Sequence, residues 1–348
     1  NLGDRLILDD VELEVAPRPE PLPMPEGIAI SQDSIFGFSS HMIHTDFFYG
    51  PEKFEPYWSL EYILPHVVGG RFGVMREPLY QGFFTVGNNR DEETVRQNRG
   101  KVQHFLKLYS DAGIRVLLCP MFSRAGRPGF EDFFQWLGTL PGKYSCIYGF
   151  EMGNEPHLRH FGGWRAKEYA FAVSEGSRII RDTAPDAKVF VGSISHLWWG
   201  PAVSFLQNGL KSGLLDVADG ISAHPYRSKS APESGAMHCE EDDPNGLETE
   251  LKDFWTLVQG YNDTGKPLEL HLTEFGYSTG KGEGQLAPNQ STGIENVDRQ
   301  ADYLSRMMLI LLDVRLRGVP IHGAYWYDLK ADRNDPIHME ANFGVIDY

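Results

Sequence analysis

Two glutamates of this chain, Glu155 and Glu274, each stand where a predicted buried strand ends. Glu155 follows an apolar run in the motif Asn154-Glu155-Pro156, and Pro156 ends the strand because it has no N–H to donate to a sheet. Glu274 lies in a second apolar run, residues 272–276. The carboxyl ends of parallel strands meet at one mouth of a barrel, so the two carboxyl groups would share a site. One carboxylic acid and one carboxylate are the groups that hydrolysis of a glycosidic bond requires.

The rest of the chain predicts the elements that would position these glutamates. Eight short apolar stretches are typical of strands, and stretches with helical periodicity lie between several of them. The predicted strands are residues 35–40, 70–75, 115–121, 146–152, 188–194, 219–224, 269–275 and 323–327. This alternation favours an α/β fold, a single-domain (β/α)8 TIM barrel. An open doubly wound sheet is the alternative, but no G-x-G-x-x-G motif follows the first strand.

The chain is predicted to form one catalytic domain after a short N-terminal segment. Its 348 residues suit one large α/β barrel. Residues 1–30 are rich in proline and charge, and we expect an extended lead-in packed on the outside of the domain. Residues 31–348 would form the barrel. The polar, acidic stretch 227–247 is predicted to be a loop inserted over one mouth.

Charge and composition limit the partners and the location of the protein. The net charge of −16 repels nucleic acid and anionic membranes, so a neutral or cationic substrate fits better. The longest purely apolar run, residues 307–312, is too short to cross a bilayer. Three cysteines show no metal-binding spacing and neither require nor exclude export. We favour a secreted or periplasmic location over a cytoplasmic one, and the sequence does not indicate an oligomeric state.

Several short motifs, taken in order along the predicted strands, resemble those of one enzyme group. The chain resembles clan A of the glycoside hydrolases, the retaining (β/α)8 glycosidases. Within the clan, its sequence pattern is most similar to that of families 39 and 5. The resemblance covers nearly the whole chain from residue 30 onward. The matching motifs are Arg71 in the second strand, Gly153-Asn-Glu-Pro156 after the fourth, His224-Pro-Tyr226 after the sixth, Leu272-Thr-Glu-Phe-Gly276 in the seventh, Trp326 at the end of the eighth and residues 342–347 beyond it.

The resemblance implies a double displacement on an oligosaccharide or polysaccharide. Glu274 would attack the anomeric carbon as the nucleophile, and Glu155 would act first as the acid and then as the base. The bond cleaved would be a β-D-glycoside or the stereochemically equivalent α-L-glycoside. A separation of about 5–5.5 Å between the carboxyl groups would support retention, and about 6.5–9.5 Å would argue for inversion.

The resemblance also implies roles for residues around the two glutamates. Asn154 would donate a hydrogen bond to the sugar 2-hydroxyl, and Trp326 would form the floor under the reacting sugar. Tyr226 and Arg71 would hold Glu274 in its ionised form, and His224 would belong to the same polar shell. Arg76, on the same stretch of chain as Arg71, is the alternative for the supporting arginine.

Further aromatic and histidine residues have two interpretations each. Trp198 and Trp199, after the fifth strand, would either stack on sugar rings in the substrate cleft or pack over the barrel rim. His41 and His44 are spaced H-x-x-H after the first strand, whereas metal-dependent barrel hydrolases have H-x-H there. We therefore expect no metal site, and the two histidines would line the cleft or the rim. Glu151 is expected to be a structural ion-pair partner.

Two rival functions belong to other classes. The chain could be a catalytically inactive carbohydrate-binding barrel, which would bind sugars without cleaving them. It could also be a metal-dependent amidohydrolase, whose activity would be lost after exhaustive chelation. The retaining glycosidase is preferred because both carboxylates and their supporting residues are present. This chemistry needs no cofactor, and the expected partner is a carbohydrate, with no nucleic acid and no membrane insertion.

Overall fold

The computed structural model describes eleven segments of the chain and confirms the predicted fold. The described residues are 5–8, 11–14, 22–31, 33–43, 60–87, 90–235, 245–263, 265–280, 293–294, 296–330 and 342–345. Within them, eight strands pair in parallel and close into a barrel. Helices stand between most consecutive strands, as a (β/α)8 barrel requires.

The barrel is formed by strands β3 to β10, and β3 closes it by pairing with β10. Two short strands, β1 and β2, form a separate antiparallel pair within the predicted lead-in. The strands are β1 Arg5–Leu8, β2 Val11–Glu14, β3 Phe36–Ser39, β4 Val74–Tyr80, β5 Arg115–Met121, β6 Ile147–Glu151, β7 Val189–Ser195, β8 Gly220–His224, β9 Glu269–Phe275 and β10 Ile321–Tyr327.

Along the chain, the described helices lie between the barrel strands and connect each strand to the next. They are α1 Leu60–Gly69, α2 Gln81–Phe84, α3 Glu92–Asp111, α4 Phe130–Gly138, α5 Ala166–Thr183, α6 Gly200–Leu210, α7 Leu214–Val217, α8 Leu247–Gln259 and α9 Val297–Leu316. In the part of the chain that the structure describes, none of these helices combines the length and the apolar character that a membrane span needs.

The strands read as nearly continuous apolar runs because a parallel barrel buries both of their faces. All seven residues of β7 are buried, and so are the five of β8. One small cluster joins side chains from four strands, Val74, Leu117, Phe190 and Tyr325. The four residues lie on β4, β5, β7 and β10, and packed side chains from several strands fill the interior of a TIM barrel.

Local sequence signals place the helix boundaries. The Asp91 side chain accepts a hydrogen bond from the Thr94 N–H at 2.8 Å and so caps the start of α3, where Glu92 and Glu93 complement the helix dipole. The apolar face of α3 includes Val102 and residues one and two turns later, as its periodicity predicts. After α3 the chain turns through Gly113 with φ of +72°.

The second barrel strand lies further along the chain than the predicted range 70–75. Residues 70–72 instead end α1 in a Schellman motif, in which the Arg71 N–H bonds the Val68 carbonyl and the Phe72 N–H bonds the Val67 carbonyl. Arg71 occupies the left-handed position of that motif, with φ of +58°. Strand β4 then begins at residue 74 and continues through Pro78 to Tyr80.

Other predicted strand boundaries agree with the structure to within two residues. Strands β5 and β9 have the predicted limits, 115–121 and 269–275. The predicted mouth loop 227–247 is described only in part, because residues 236–244 lie outside the described residues.

Candidate active site

The two glutamates come together at the carboxyl end of the barrel. Glu155 follows β6 with a left-handed backbone, φ of +39°, and Glu274 lies at the penultimate position of β9. Both side chains are largely buried, with 8% and 7% of their surface exposed. One oxygen of each carboxylate lies within 4.8 Å of the other and of the Nδ1 of His224. The predicted pair of carboxyl groups therefore faces a single site.

His224, the last residue of β8, lies between the two carboxylates. Its Nδ1 is 3.0 Å from an oxygen of Glu155 and 3.5 Å from an oxygen of Glu274, and its Nε2 is 3.2 Å from the Ser193 hydroxyl. Burial disfavours the charged ring, but the negative charge of Glu274 and the hydrogen bond to Glu155 outweigh it and raise the pKa of His224. When the ring is protonated, its Nδ1–H donates to Glu155, and its charge also lies near Glu274.

Arg76 on β4 is the cation that holds Glu274. Its guanidinium donates to a carboxylate oxygen of Glu274 at 2.6 Å and to the side-chain oxygen of Asn154 at 2.7 Å. Its Nε donates to Glu151, and a further N–H donates to Ser39 at 3.1 Å. Only 1% of Arg76 is exposed. The planar guanidinium joins these four side chains in a way that a single ammonium could not.

The predicted role of Arg71 is therefore corrected. Arg71 lies in the exposed turn between α1 and β4, at the amino end of the barrel, whereas Glu274 faces the carboxyl end. The alternative considered from the sequence, Arg76, makes the contact. The error arose because the Schellman turn at residues 70–72 resembles the start of a strand.

Tyr226 contacts the nucleophile candidate as predicted from the resemblance. Its hydroxyl donates to the second carboxylate oxygen of Glu274 at 3.0 Å. Burial alone would raise the pKa of Glu274, but the charges of His224 and Arg76 outweigh it and lower that pKa. Arg76, His224 and the Tyr226 hydroxyl thus all favour the anionic form of this buried carboxylate.

The carboxylate of Glu151 fixes the orientation of the Arg76 guanidinium. The carboxylate is fully buried, accepts from Arg76 Nε, and accepts from the Thr273 hydroxyl at 2.6 Å. Burial opposes the charge of Glu151, but Arg76 outweighs it, so the pKa of Glu151 is lowered. The ion pair expected for Glu151 is formed, and its partner is the arginine that serves the site.

Asn154, the residue before Glu155, lines a cavity at the carboxyl ends of the barrel strands. Its side-chain oxygen accepts from Arg76, which leaves the amide N–H groups as the part that can donate to a ligand. Gly153, Asn154 and Pro156 line a cavity of about 450 Å³. This position is compatible with the predicted contact to a sugar hydroxyl.

Trp326 does not occupy the predicted position under a substrate. Its ring is 0% exposed and packs against Phe275 and Tyr277, with centroids 5.8 and 6.0 Å away. Successive side chains of a strand point to opposite faces, so the neighbouring residue, Tyr327, points to the other side. The Tyr327 ring lies 6.3 Å from that of Tyr226.

Tyr327 is thus the aromatic side chain of β10 beside the site, and the sequence analysis missed it. Its ring also packs 5.3 Å from His41 and 5.2 Å from Phe343, and the Tyr327-Asp328 peptide bond is cis. The signal that could have found it is the alternation of the strand, which allows only one of two adjacent aromatics to face the mouth.

Trp198 and Trp199 lie on the rim, after β7, and both are partly buried. The Trp199 ring is 5.8 Å from that of His157, and the Trp198 ring is 6.0 Å from that of His196. His196 is in turn 6.3 Å from Tyr226. The two tryptophans therefore pack on the rim while part of each ring stays accessible to a ligand.

The geometry of the site also bears on metal binding. Glu155, His224 and Glu274 offer three donor atoms close enough to share an ion. The guanidinium of Arg76, 2.6 Å from Glu274, opposes a second positive charge there. Of the predicted H-x-x-H pair, His41 lies 3.7 Å from Asp328, and His44 falls outside the described residues.

Comparison with known proteins shows what the fold is similar to. No protein-family model matches the chain, and no curated protein matches it in sequence. Among solved structures, a family 39 glycoside hydrolase from the gut symbiont Bacteroides cellulosilyticus WH2 is similar with a TM-score of 0.57 and 19% identity, over 79% of this chain and 55% of its own.

Two further solved structures give the same result. The exo-β-1,4-mannosidase Op5Man5 from Opitutaceae bacterium strain TAV5 has a TM-score of 0.56 and 14% identity, over 92% of this chain and 59% of its own. The family 51 α-L-arabinofuranosidase AbfB from Bifidobacterium longum has a TM-score of 0.56 and 16% identity, over 86% of this chain and 67% of its own.

These neighbours confirm the barrel fold that the sequence predicted. At such identities the likeness extends to the fold alone. The chain spans little more than half the length of the first two enzymes.

Proposed function

We propose that this chain is a retaining glycoside hydrolase that cleaves β-D-glycosidic bonds, or equivalent α-L-glycosidic bonds, of an oligosaccharide or polysaccharide. The observation that carries the proposal is the asymmetry of the two carboxylates. Glu274 is paired with Arg76, Tyr226 and His224, whereas Glu155 contacts His224 and has no contact with Arg76 among the described interactions. One group is held as an anion and the other is left for proton transfer.

In the first step, an oxygen of Glu274 forms a bond to the anomeric carbon while the bond from that carbon to the leaving oxygen breaks. Glu155 gives its proton to the leaving oxygen, so the departing group is a neutral alcohol. The product is a glycosyl ester of Glu274 and an ionised Glu155.

In the second step, a water molecule attacks the same carbon from the face that the leaving group vacated. Glu155 takes the proton of this water, and the ester bond to Glu274 breaks. Two inversions give net retention. One oxygen of Glu155 and one of Glu274 lie within 4.8 Å of each other, a closeness that favours the retaining arrangement, whose carboxyl groups are about 5–5.5 Å apart, over the inverting one at about 6.5–9.5 Å.

The surrounding residues prepare the two glutamates for this sequence. Arg76 and Tyr226 hold both oxygens of Glu274, which fixes the direction from which it attacks. Asn154 directs its amide N–H groups toward the sugar because Arg76 holds its oxygen. A hydrogen bond from Asn154 to the sugar 2-hydroxyl would strengthen in the transition state.

The test is a product analysis on a panel of polysaccharides and aryl glycosides, followed by proton NMR. For the substrate that is cleaved, the sugar released at early times is predicted to have the anomeric configuration of the substrate. Release of the opposite anomer would contradict double displacement. Sugar binding without any cleavage across the panel would favour the inactive carbohydrate-binding barrel instead.

A further inference from the structure

A groove leads away from Asn154 along the carboxyl ends of β4, β5 and β6. Its inner part is the cavity of about 450 Å³ that Asn154 lines, and its outer part is a cavity of about 630 Å³. The two parts share the side chains of Tyr80, Phe122 and Trp164 as walls. We call this feature the arginine groove and define it by Tyr80, Phe122, Arg124, Arg127, Asn154 and Trp164.

The arginine groove has the dimensions of a ligand site. Each part falls within the range of about 300–1,000 Å³ that small-molecule sites occupy. It begins at Asn154, the residue proposed to bind the reacting sugar and the neighbour of Glu155 in the chain, and we treat it as the direction in which a bound sugar chain extends.

Both arginines lie on one loop, residues 123–128, whose conformation is held by Gln81. The Gln81 side chain accepts from the Ser123 N–H at 2.9 Å and donates to the Pro128 carbonyl at 3.2 Å, so it joins both ends of the loop. Within the loop, the Arg127 N–H bonds the Arg124 carbonyl at 3.1 Å. Gln81 is itself 7% exposed and begins α2. The loop is thus preorganised before a ligand binds.

The charge of the arginine groove is opposite to that of the molecule. The chain carries −16, yet the described residues that line the outer part include two arginines and no aspartate or glutamate. Arg124 pairs with Glu168 at 3.3 Å, but both side chains are about half exposed, and such pairs contribute little. In the described part of the chain, no carboxylate lies within ion-pair distance of the Arg127 guanidinium.

The walls of the arginine groove suit the apolar faces of sugar rings. Trp164 is held by Phe122 and Tyr169, with ring centroids 5.7 and 6.2 Å away, and the Arg124 guanidinium lies 5.2 Å from its centre. Phe122 is held in turn by Phe134 at 5.2 Å. Fixed aromatic walls beside free guanidinium N–H groups are the combination that an anionic carbohydrate would use.

We propose that the arginine groove binds an anionic sugar unit of the substrate, whose carboxylate or sulfate is bound by Arg127 and Arg124. This inference rests on the proposed function, because it treats the groove as the continuation of the catalytic cleft. It makes the substrate an acidic oligosaccharide or polysaccharide rather than a neutral one.

The test is calorimetric titration of the full chain with six-sugar probes that share one backbone. Three probes share this backbone: cellohexaose, its derivative oxidised to uronates at C6, and its sulfated derivative. Two further acidic probes, hexagalacturonate and a heparin hexasaccharide, have other backbones. At least one acidic probe is expected to bind about tenfold more tightly than cellohexaose and to weaken as NaCl is raised. Comparing the uronate probes with the sulfated probes shows whether the groove binds a carboxylate or a sulfate.

Substitutions assign the binding to the arginine groove. Arg127→Gln and Arg124→Gln are each expected to weaken binding of the preferred acidic probe about fivefold and to leave cellohexaose unchanged. The matched control is Arg315→Gln, which removes the same charge from an exposed position at the end of α9, by the amino end of the barrel. Equal weakening in Arg315→Gln would show a general effect of net charge and would overturn the proposal.

Two other outcomes also overturn it. These are equal affinity for acidic and neutral probes, and failure of all four acidic probes to bind the wild-type protein at millimolar concentration. The proposed function fails separately, if the wild-type protein cleaves no glycoside while acidic probes still bind in a manner that needs Arg127.

Discussion

At the scale of single residues, the site depends on one cation that serves several partners. Arg76 joins the proposed nucleophile Glu274, the amide of Asn154 and the buried Glu151 through separate N–H groups. Its charge also contributes to the lowered pKa of Glu274, after that of His224. Orientation and ionisation of the nucleophile are therefore coupled through a side chain that need not touch the substrate.

Replacing Arg76 by lysine keeps the charge but removes the planar set of donors. We predict that Arg76→Lys lowers kcat/KM about 100-fold, because one ammonium cannot hold Glu274, Asn154 and Glu151 together. Weaker pairing raises the pKa of Glu274 toward its ordinary value, so activity is lost at a higher pH as the solution is acidified. The measurement is the pH profile of kcat/KM, whose acidic limb should move upward.

Arg71→Gln is the matched control for this prediction. Arg71 lies in an exposed turn, so its replacement should leave both the rate and the acidic limb as in the wild-type protein. A pH profile of Arg76→Lys that coincides with the wild-type profile would show that Arg76 does not support the nucleophile.

At the scale of elements, the positions of the site residues depend on how closely the barrel strands approach. Gly37 on β3 lies opposite Val74 on β4, and an added Cβ would come within 1.6 Å of the Val74 carbonyl oxygen. Strand β4 carries Arg76 two residues later. Close pairing at Gly37 therefore sets the depth at which Arg76 enters the mouth.

A methyl group at residue 37 should disturb this pairing. Gly37→Ala is predicted to lower the free energy of unfolding by about 3 kcal/mol or more, because a backbone atom must move to admit the Cβ. Gly100→Ala is the control. Gly100 is exposed in α3 with open space around its Cα, so alanine there should raise stability by about 0.5–1 kcal/mol. Urea unfolding measures both, and similar effects of the two substitutions would contradict the packing argument.

The elements were predictable from the sequence to the extent that their signals are local. Strands β5 and β9 are apolar runs with clear ends, so their limits and the position of Glu274 could be predicted. Arg71 and Trp326 were misplaced for local reasons as well. A helix-ending turn resembled a strand start, and an error of one residue on a strand moves a side chain to the opposite face.

Contacts across the barrel could not be predicted in the same way. Arg76 donates hydrogen bonds to Ser39, Glu151 and Glu274, which lie on three other strands. No spacing in the sequence indicates that these groups share one guanidinium. The preorganised loop of the arginine groove depends likewise on Gln81, which lies about 40 residues earlier in the chain.

At the scale of the whole molecule, the closed barrel brings residues from distant parts of the chain to one mouth. The net charge of −16 and the two arginines of the arginine groove act in opposite directions on an acidic substrate. The field of the net negative charge repels an acidic substrate, whereas the arginine groove binds it at one place. This arrangement favours selectivity among substrates over fast association with any polyanion.

The central claim is that Glu274 forms a covalent bond to the sugar. The direct test is mass spectrometry of the protein after reaction with the 2-deoxy-2-fluoro glycosyl fluoride of the sugar that it cleaves, a reagent that slows release of the glycosyl ester. The account predicts a mass increase of one fluoroglycosyl unit, located by peptide analysis on Glu274 and absent from Glu274→Ala. A protein that cleaves the parent glycoside but carries no adduct, or carries it on Glu155, would contradict the account.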